Sequence, residues 1–187
     1  MRKLLLLLIF VPFLYAEANA QEVHFGIKGG VNFTNLSSEY FAGHNMKTGY
    51  HVGFLAEVDL GSRFSVQPEL LYSTRGADAE LLTLGGSPIT DEISLDYIQV
   101  PVLANFELFP RFSLQAGPSF NFLVDEKSRN YRKQNMNDFE FGGAVGASYE
   151  LYSGLFADFR YHQGFTDVFN GAHSRNSGFQ LDLGYMF

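Results

Sequence analysis

Eight stretches of this chain alternate apolar and polar residues, and the connections between them are alternately long and short. This pattern limits the available folds more than any other feature of the sequence. A period of 2 gives a strand one apolar and one polar face. A strict long–short order of connections keeps every strand antiparallel to the one before it, with all short turns at one end.

The first stretch is EVHFGIKGGVNF, where Phe25, Ile27, Val31 and Phe33 oppose His24, Gly26, Lys28, Gly30 and Asn32. The second, GYHVGFLAEVDL, sets Tyr50, Val52, Phe54, Ala56, Val58 and Leu60 against His51, Gly53, Glu57 and Asp59. In RFSVQPELLYSTR, Phe64, Val66, Leu70 and Tyr72 oppose Ser65, Gln67, Glu69, Ser73 and Arg75. The fourth, ISLDYIQVPVLANFEL, is ambiguous in phase because Tyr97 and Ile98 are adjacent and both apolar. The favoured phase puts Ile98, Val100, Val102 and Phe106 on one face, with Gln99 and Asn105 on the other. RFSLQAGPSFNFLV sets Phe112, Leu114, Phe120 and Phe122 against Ser113, Gln115, Ser119 and Asn121. DFEFGGAVGASYEL sets Phe139, Phe141, Val145 and Tyr149 against Glu140, Ala144, Ser148 and Glu150. GLFADFRYHQGFTD sets Leu155, Phe159, Tyr161 and Phe165 against Asp158, Arg160 and His162. The last, GFQLDLGYMF, sets Phe179, Leu181, Leu183, Tyr185 and Phe187 against Gln180, Asp182, Gly184 and Met186.

These stretches run 10 to 16 residues, longer than the usual soluble strand. The short connections are Gly61–Ser62, Phe109–Pro110 and Tyr152–Gly154; the long polar ones lie around 34–48, 76–92, 125–137 and 168–177. Such segments, in that order, are expected of an all-β, eight-stranded antiparallel up-and-down transmembrane β-barrel with short periplasmic turns, long external loops and periplasmic termini. Greek-key crossings of a β-sandwich would not produce the order.

A soluble barrel points its apolar face inward and a membrane barrel points it outward. The polar face separates the two. It mixes charges (Lys28, Glu57, Asp59, Glu69, Arg160, Asp182) with glycines (Gly26, Gly30, Gly53, Gly117, Gly142, Gly146, Gly184). Inside a narrow barrel, glycine is expected to make room for long side chains opposite. The other face is nearly free of charge, as lipid requires, because a cation at the bilayer midplane costs about 2–4 kcal/mol. Aromatics gather near strand ends: Phe25, Phe64, Phe106, Phe112, Tyr149 and Tyr185 at one, and Phe33, Tyr50, Tyr72, Phe122, Phe139, Phe165 and Phe179 at the other. Two girdles are expected of a barrel in a bilayer. Pro68, Pro101 and Pro118 sit inside strands, where bulges or kinks are expected. The remaining fold alternative is a soluble periplasmic ligand-binding barrel.

The motifs SVQPELLYSTRG (Ser65–Gly76), LDYIQVPVLANFEL (Leu95–Leu108), LQAGPSFNFLV (Leu114–Val124) and FGIKGGVNFTNL (Phe25–Leu36) resemble the PorT-type, OmpA-like outer-membrane β-barrel family common in Bacteroidetes. The resemblance spans 21–187 and implies an eight-stranded barrel in the bacterial outer membrane. It implies little about activity. PorT itself is longer, and its link to a secretion system is not carried over.

Residues 1–20 read as a secretory signal peptide. Arg2 and Lys3 precede the apolar run Leu4–Tyr15, and Ala18 and Ala20 fit a cleavage site. Cleavage after Ala20 would expose Gln21, so a lipoprotein anchor is not expected; a transmembrane anchor is the alternative. Loss of two cations and one carboxylate takes the formal charge from −7 to −8, which argues against a nucleic-acid partner. The chain has no cysteine, so no disulfide staples it.

No constellation reads as catalytic, metal-binding or cofactor-binding. Asp158, Arg160 and His162 share a face at i, i+2 and i+4, a spacing open to general-base chemistry. The favoured reading is a buried ion network, because charges in a narrow lumen must pair. Lys28, Glu57, Glu69, Asp158, Arg160, His162 and Asp182 are its expected members. His44, His51 and His173 show no partner pattern. Lys127, Arg129, Arg132 and Lys133 stand in an external loop, open to lipopolysaccharide phosphates or a partner but equally an ordinary solvated loop. Leu81–Thr90 is apolar for such a loop and either extends a hairpin or marks a binding surface. Tyr185 and Phe187 resemble the terminal signal read by barrel assembly machinery, which with outer-membrane lipid and lipopolysaccharide makes up the expected partners. The expected role is structural or interactive in the envelope. The alternatives are a subunit of a secretion or envelope machine, or a barrel enzyme acting on lipid or peptide at the outer leaflet.

Overall fold

The computed structural model describes residues 22–38, 45–82, 88–127, 137–168 and 174–187. The expected signal peptide, His44, His173, Arg129, Arg132 and Lys133 lie outside the described residues. Eight strands follow one another: β1 Val23–Ser38, β2 Asn45–Asp59, β3 Phe64–Leu82, β4 Pro88–Phe109, β5 Phe112–Lys127, β6 Phe139–Tyr152, β7 Leu155–Gly164 and β8 Ser174–Met186. Each pairs antiparallel with the next, and β8 returns to β1 to close the barrel. The closing seam runs from Gly26 opposite Met186 through Phe33 opposite Phe179 to Ser38 opposite Ser174. Beyond it, the Phe187 N–H donates to the Phe25 carbonyl at 2.8 Å.

The short turns have local causes. Pro110 fixes one corner and Arg111 takes φ 72° at the next, a pairing expected of a type II turn. Ser153 (φ 38°) and Gly154 (φ 85°) are both left-handed, which matches the twist of a two-residue hairpin. At the other end the strands run further than alternation alone indicates. β3 and β4 stay paired to Leu82 opposite Pro88, so the described parts of the Leu81–Thr90 stretch, 81–82 and 88–90, extend a hairpin. Backbone pairing needs no apolar face, so a ladder continues past the end of the lipid-facing pattern.

The faces are inverted relative to a soluble core. Phe54 is 67% exposed and Leu183 59%, whereas Lys28, Arg160 and Gln180 are at or below 2%. The fourth strand takes the favoured phase, with Gln99 and Asn105 inside; Tyr97 also points inward and is buried. Outward rings meet in two groups, across strands except for Tyr185 and Phe187 at the end of β8. Toward the turns are Phe64–Phe106 at 4.8 Å, Phe109–Phe112 at 5.2 Å and Tyr185–Phe187 at 5.7 Å. Toward the loops are Tyr50–Tyr72, Phe122–Phe139, Phe141–Phe165 and Tyr161–Phe179, at 6.5, 5.3, 5.9 and 5.2 Å.

Two expectations are corrected in part, the first being the bulges expected at the prolines. The prolines do not shift register: Pro68 faces Val102, Pro101 faces Ser119 and Pro118 faces Gly143, with the same offset kept on either side of each. They lie on a diagonal across β3, β4 and β5. On its other side each proline interrupts the ladder, Pro68 toward β2, Pro101 toward β3 and Pro118 toward β4, and pairing resumes in the same offset. The register shifts fall elsewhere, between Met46 and His51 in β2, Asp96 and Tyr97 in β4, Glu107 and Phe109, and Glu150 and Tyr152. The glycines also act differently from expectation. A Cβ at Gly53 or Gly117 would overlap the carbonyl oxygen of Leu70 or Val102 on the neighbouring strand. There glycine permits close approach of backbones. Gly184 does make room for a side chain, the ring of Phe156.

Candidate functional site

Among the described residues, the inner face holds nearly all of the buried polar side chains. Alternation puts them there, and closure brings distant strands together around them. At mid-height five charged side chains from four strands meet. Lys28 of β1 places Nζ 3.0 Å from Glu69 Oε2, 3.3 Å from Asp182 Oδ2 and 3.6 Å from Asp158 Oδ2. Arg160 of β7 donates Nη1 to Glu69 (2.8 Å to Oε1, 2.9 Å to Oε2), Nη2 to Asp158 Oδ2 at 2.7 Å and Nε to Gln115 Oε1 at 2.7 Å. Three carboxylates thus face two cations, with His51 against Asp182 on one side. Side-chain exposure of these groups is 0–1%. A charge desolvated to that degree is tolerable only when paired and hydrogen-bonded.

The tier toward the turns is held by neutral donors. Gln67 Nε2 donates to Glu69 Oε1 at 2.7 Å, and Asn105 Nδ2 to Gln67 Oε1 at 2.8 Å. Glu57 sits here, apart from the five-charge cluster, accepting from Ser65 Oγ and from Asn105 Nδ2 at 3.2 Å. Below it a basin of about 620 Å³ opens at the turn end, rimmed by Asp59, Glu107, Glu150, Arg63 and Arg111.

The tier toward the loops is less completely paired. Asn32 donates to Ser73 Oγ at 3.0 Å and accepts from Gln180 Nε2 at 3.1 Å; its Oδ1 lies 2.7 Å from His51 Nδ1. Asn121 Nδ2 donates to Glu140 Oε1 at 3.0 Å. Arg75 approaches Glu140 at 3.5 Å and lies 5.8 Å from the centre of the Tyr97 ring.

Of the residues singled out in the sequence, Lys28, Glu69, Asp158, Arg160 and Asp182 meet in one cluster, and Glu57 belongs to the tier below. His162 is buried in the lumen, but neither ring nitrogen has a hydrogen-bond partner. The i, i+2, i+4 spacing on β7 therefore yields an Asp158–Arg160 pair and no His–Asp pair. His51 is a correction: it contacts Asn32 and Asp182, which belong to strands joined to its own only through barrel pairing. Its place on the polar face of β2 was the available signal. Arg75, Gln115 and Glu140 were legible as polar-face residues, but not as participants at a given height. Tyr185 points outward beside Phe187 at the turn end.

One group among the described residues has metal-ligand geometry, although no spacing in the sequence indicated it. His24 Nε2 lies 3.8 Å from Glu22 Oε2 and 3.7 Å from Asp59 Oδ2, at the turn-end rim. All three are substantially exposed, and surface carboxylates gather in this way without a metal.

A closed barrel that is apolar outside and polar inside is an integral β-barrel of the bacterial outer membrane. The chain belongs to the outer membrane protein beta-barrel domain family, whose model matches residues 19–170. Among solved structures it is similar to Neisserial surface protein A at 11% identity and a TM-score of 0.60, covering 87% of this chain and 97% of that one. It is also similar to Ail, the attachment invasion locus protein of Yersinia pestis, in its complex with the heparin analogue sucrose octasulfate. That match has 13% identity and a TM-score of 0.55, over 89% of this chain and 99% of the other. At such identities the likeness is one of fold. No curated protein matches the sequence.

Proposed function

We propose that this protein is a non-enzymatic, non-conducting barrel with a structural or interaction role in the cell envelope, its lumen closed by its own side chains. The observation that supports the reading is the cluster of Lys28, Glu69, Asp158, Arg160 and Asp182. It reaches across the lumen from β1, β3, β7 and β8 with 0–1% side-chain exposure. Eight strands enclose room for side chains and little else. The absence of catalysis rests on Asp158 being committed to Arg160 and on the lack of a hydrogen-bond partner for His162. In this reading the turn end faces the periplasm and the long hairpins stand outside. The exported chain sheds residues 1–20, and Tyr185 and Phe187 form its assembly signal. The sequence motifs support the finer placement among PorT-type members.

Planar bilayer recording tests closure. Purified barrel is expected to leave bilayer conductance at baseline. Steady unitary currents that scale with salt would overturn the closed lumen.

A further inference from the structure

The seam between β2 and β3 carries an opening outside the central cluster. Four residues of β2, Lys47 to Tyr50, stand opposite three of β3, Thr74 to Gly76, between the pairs Met46–Ala77 and His51–Ser73. An extra residue in one strand interrupts the ladder. Side chains replace the missing bonds. Thr74 Oγ1 accepts from Tyr50 N at 2.9 Å and donates to Tyr50 O at 3.2 Å, while Asn32 Nδ2 reaches Thr74 O at 3.0 Å.

A cavity of about 370 Å³ opens along this stretch, with Lys47, Thr48, Tyr50, Thr74, Arg75 and Asp96 in its lining. Pairing with β1 sets Lys47 beside the inward Thr34 and Thr48 beside the outward Phe33. The cavity is thus lined from both faces of the wall. Outside it, the Tyr50 and Tyr72 rings lie 6.5 Å apart in the loop-end girdle, the depth at which aromatic girdles meet lipid headgroups.

Behind it is Arg75, 1% exposed, and none of its three guanidinium nitrogens makes a hydrogen bond. Glu140 at 3.5 Å answers its charge but fills none of its donors. A buried guanidinium has five N–H groups to satisfy, and each buried unsatisfied group calls for a partner. Its planar fork matches two oxygens of one oxyanion. Lys47 adds a second cation to the lining, beside Asp96. We propose that this cavity binds a phosphoryl oxyanion, held by two oxygens on Arg75 and admitted through the broken β2–β3 ladder. Either end of a membrane barrel meets headgroup phosphates, so the site does not depend on the lumen being closed or on the barrel's orientation.

The test uses the full barrel folded in alkyl maltoside micelles, which carry no phosphate. Calorimetric titration is run with inorganic phosphate against sodium chloride of equal ionic strength, and separately with short-chain phosphatidic acid. Saturable heat with inorganic phosphate supports the site and identifies a free oxyanion as sufficient. Saturable heat with phosphatidic acid alone supports it and assigns the phosphoryl group to lipid. Saturation with neither through the millimolar range overturns the proposal, and this wild-type result stands without any variant. Arg75→Lys, checked for folding by its heat-modifiable migration, is expected to bind at least tenfold more weakly; unchanged binding in the folded variant would overturn the assignment to Arg75.

Discussion

Arg160→Met removes the cation that Glu69, Asp158 and Gln115 share. The guanidinium holds Glu69 at 2.8 Å, Asp158 at 2.7 Å and Gln115 at 2.7 Å. Without it, Glu69, Asp158 and Asp182 would face Lys28 and His51 alone, in a space sealed from solvent. Breaking a buried pair by deleting one partner costs about 3–5 kcal/mol, because the surviving charge stays buried. Glu69→Gln should also destabilise, since it takes a carboxylate from Lys28 and Arg160 while keeping an acceptor for Gln67. The double variant loses one charge of each sign. Lys28 would keep Asp182 at 3.3 Å and Asp158 at 3.6 Å. Its loss should fall short of the summed single losses by about 0.5–3 kcal/mol, the range of direct coupling between neighbours. Reversible urea unfolding in lipid vesicles, followed by the mobility shift of folded barrel on unheated SDS gels, measures all three. Additive losses would refute the cluster as a coupled unit. A loss below about 1 kcal/mol for Arg160→Met, the scale of an exposed pair, would mean that water screens the lumen.

Three further outcomes follow from the geometry. Leu183→Arg, midway between the girdles on the outer face, should cost about 2–4 kcal/mol of folding stability in vesicles, and the cost should shrink for the same change nearer a girdle. Gly117→Ala should cost about 1–3 kcal/mol by forcing β4 and β5 apart, whereas Gly61→Ala, with nothing within 4 Å of a new Cβ, should stay within about 0.5 kcal/mol in the same unfolding series. His162→Leu should leave the unfolding midpoint unchanged or raised, because the imidazole has no hydrogen bond to lose; a fall of more than about 1 kcal/mol would reveal a partner bound in the lumen.

The fold was largely legible because two periodicities act together. Period 2 separated Phe179, Leu181 and Leu183 from Gln180 and Asp182, and the order of connections determined the strand neighbours. Even the ambiguous β4 takes the phase that puts Gln99 and Asn105 inside. Height within the lumen was not legible. It depends on stagger around the barrel, which bulges at Lys47–Tyr50 and beside Tyr97 alter without any local signature. Hence Asp158, Arg160 and His162 look equivalent on β7, yet only the first two reach the cluster. His51 gains its partners from β1 and β8, and no pattern within β2 announces them. The prolines misled for a related reason. A proline removes a donor, but its neighbours keep their offset when the strands on either side hold the register.

The closing seam has a kinetic consequence. Lys28 and Asp182 are 154 residues apart in sequence, so the lumen's charges cannot all meet until the last strand joins the first. Before that moment an unclosed sheet in the bilayer exposes two unpaired edges and leaves Asp182 apart from Lys28. Partly assembled forms are therefore penalised twice, and contacts so far apart in the chain form late and slowly. Assembly is expected to be all-or-none, with docking of β8 on β1 as the step that completes the pairing of the interior charges.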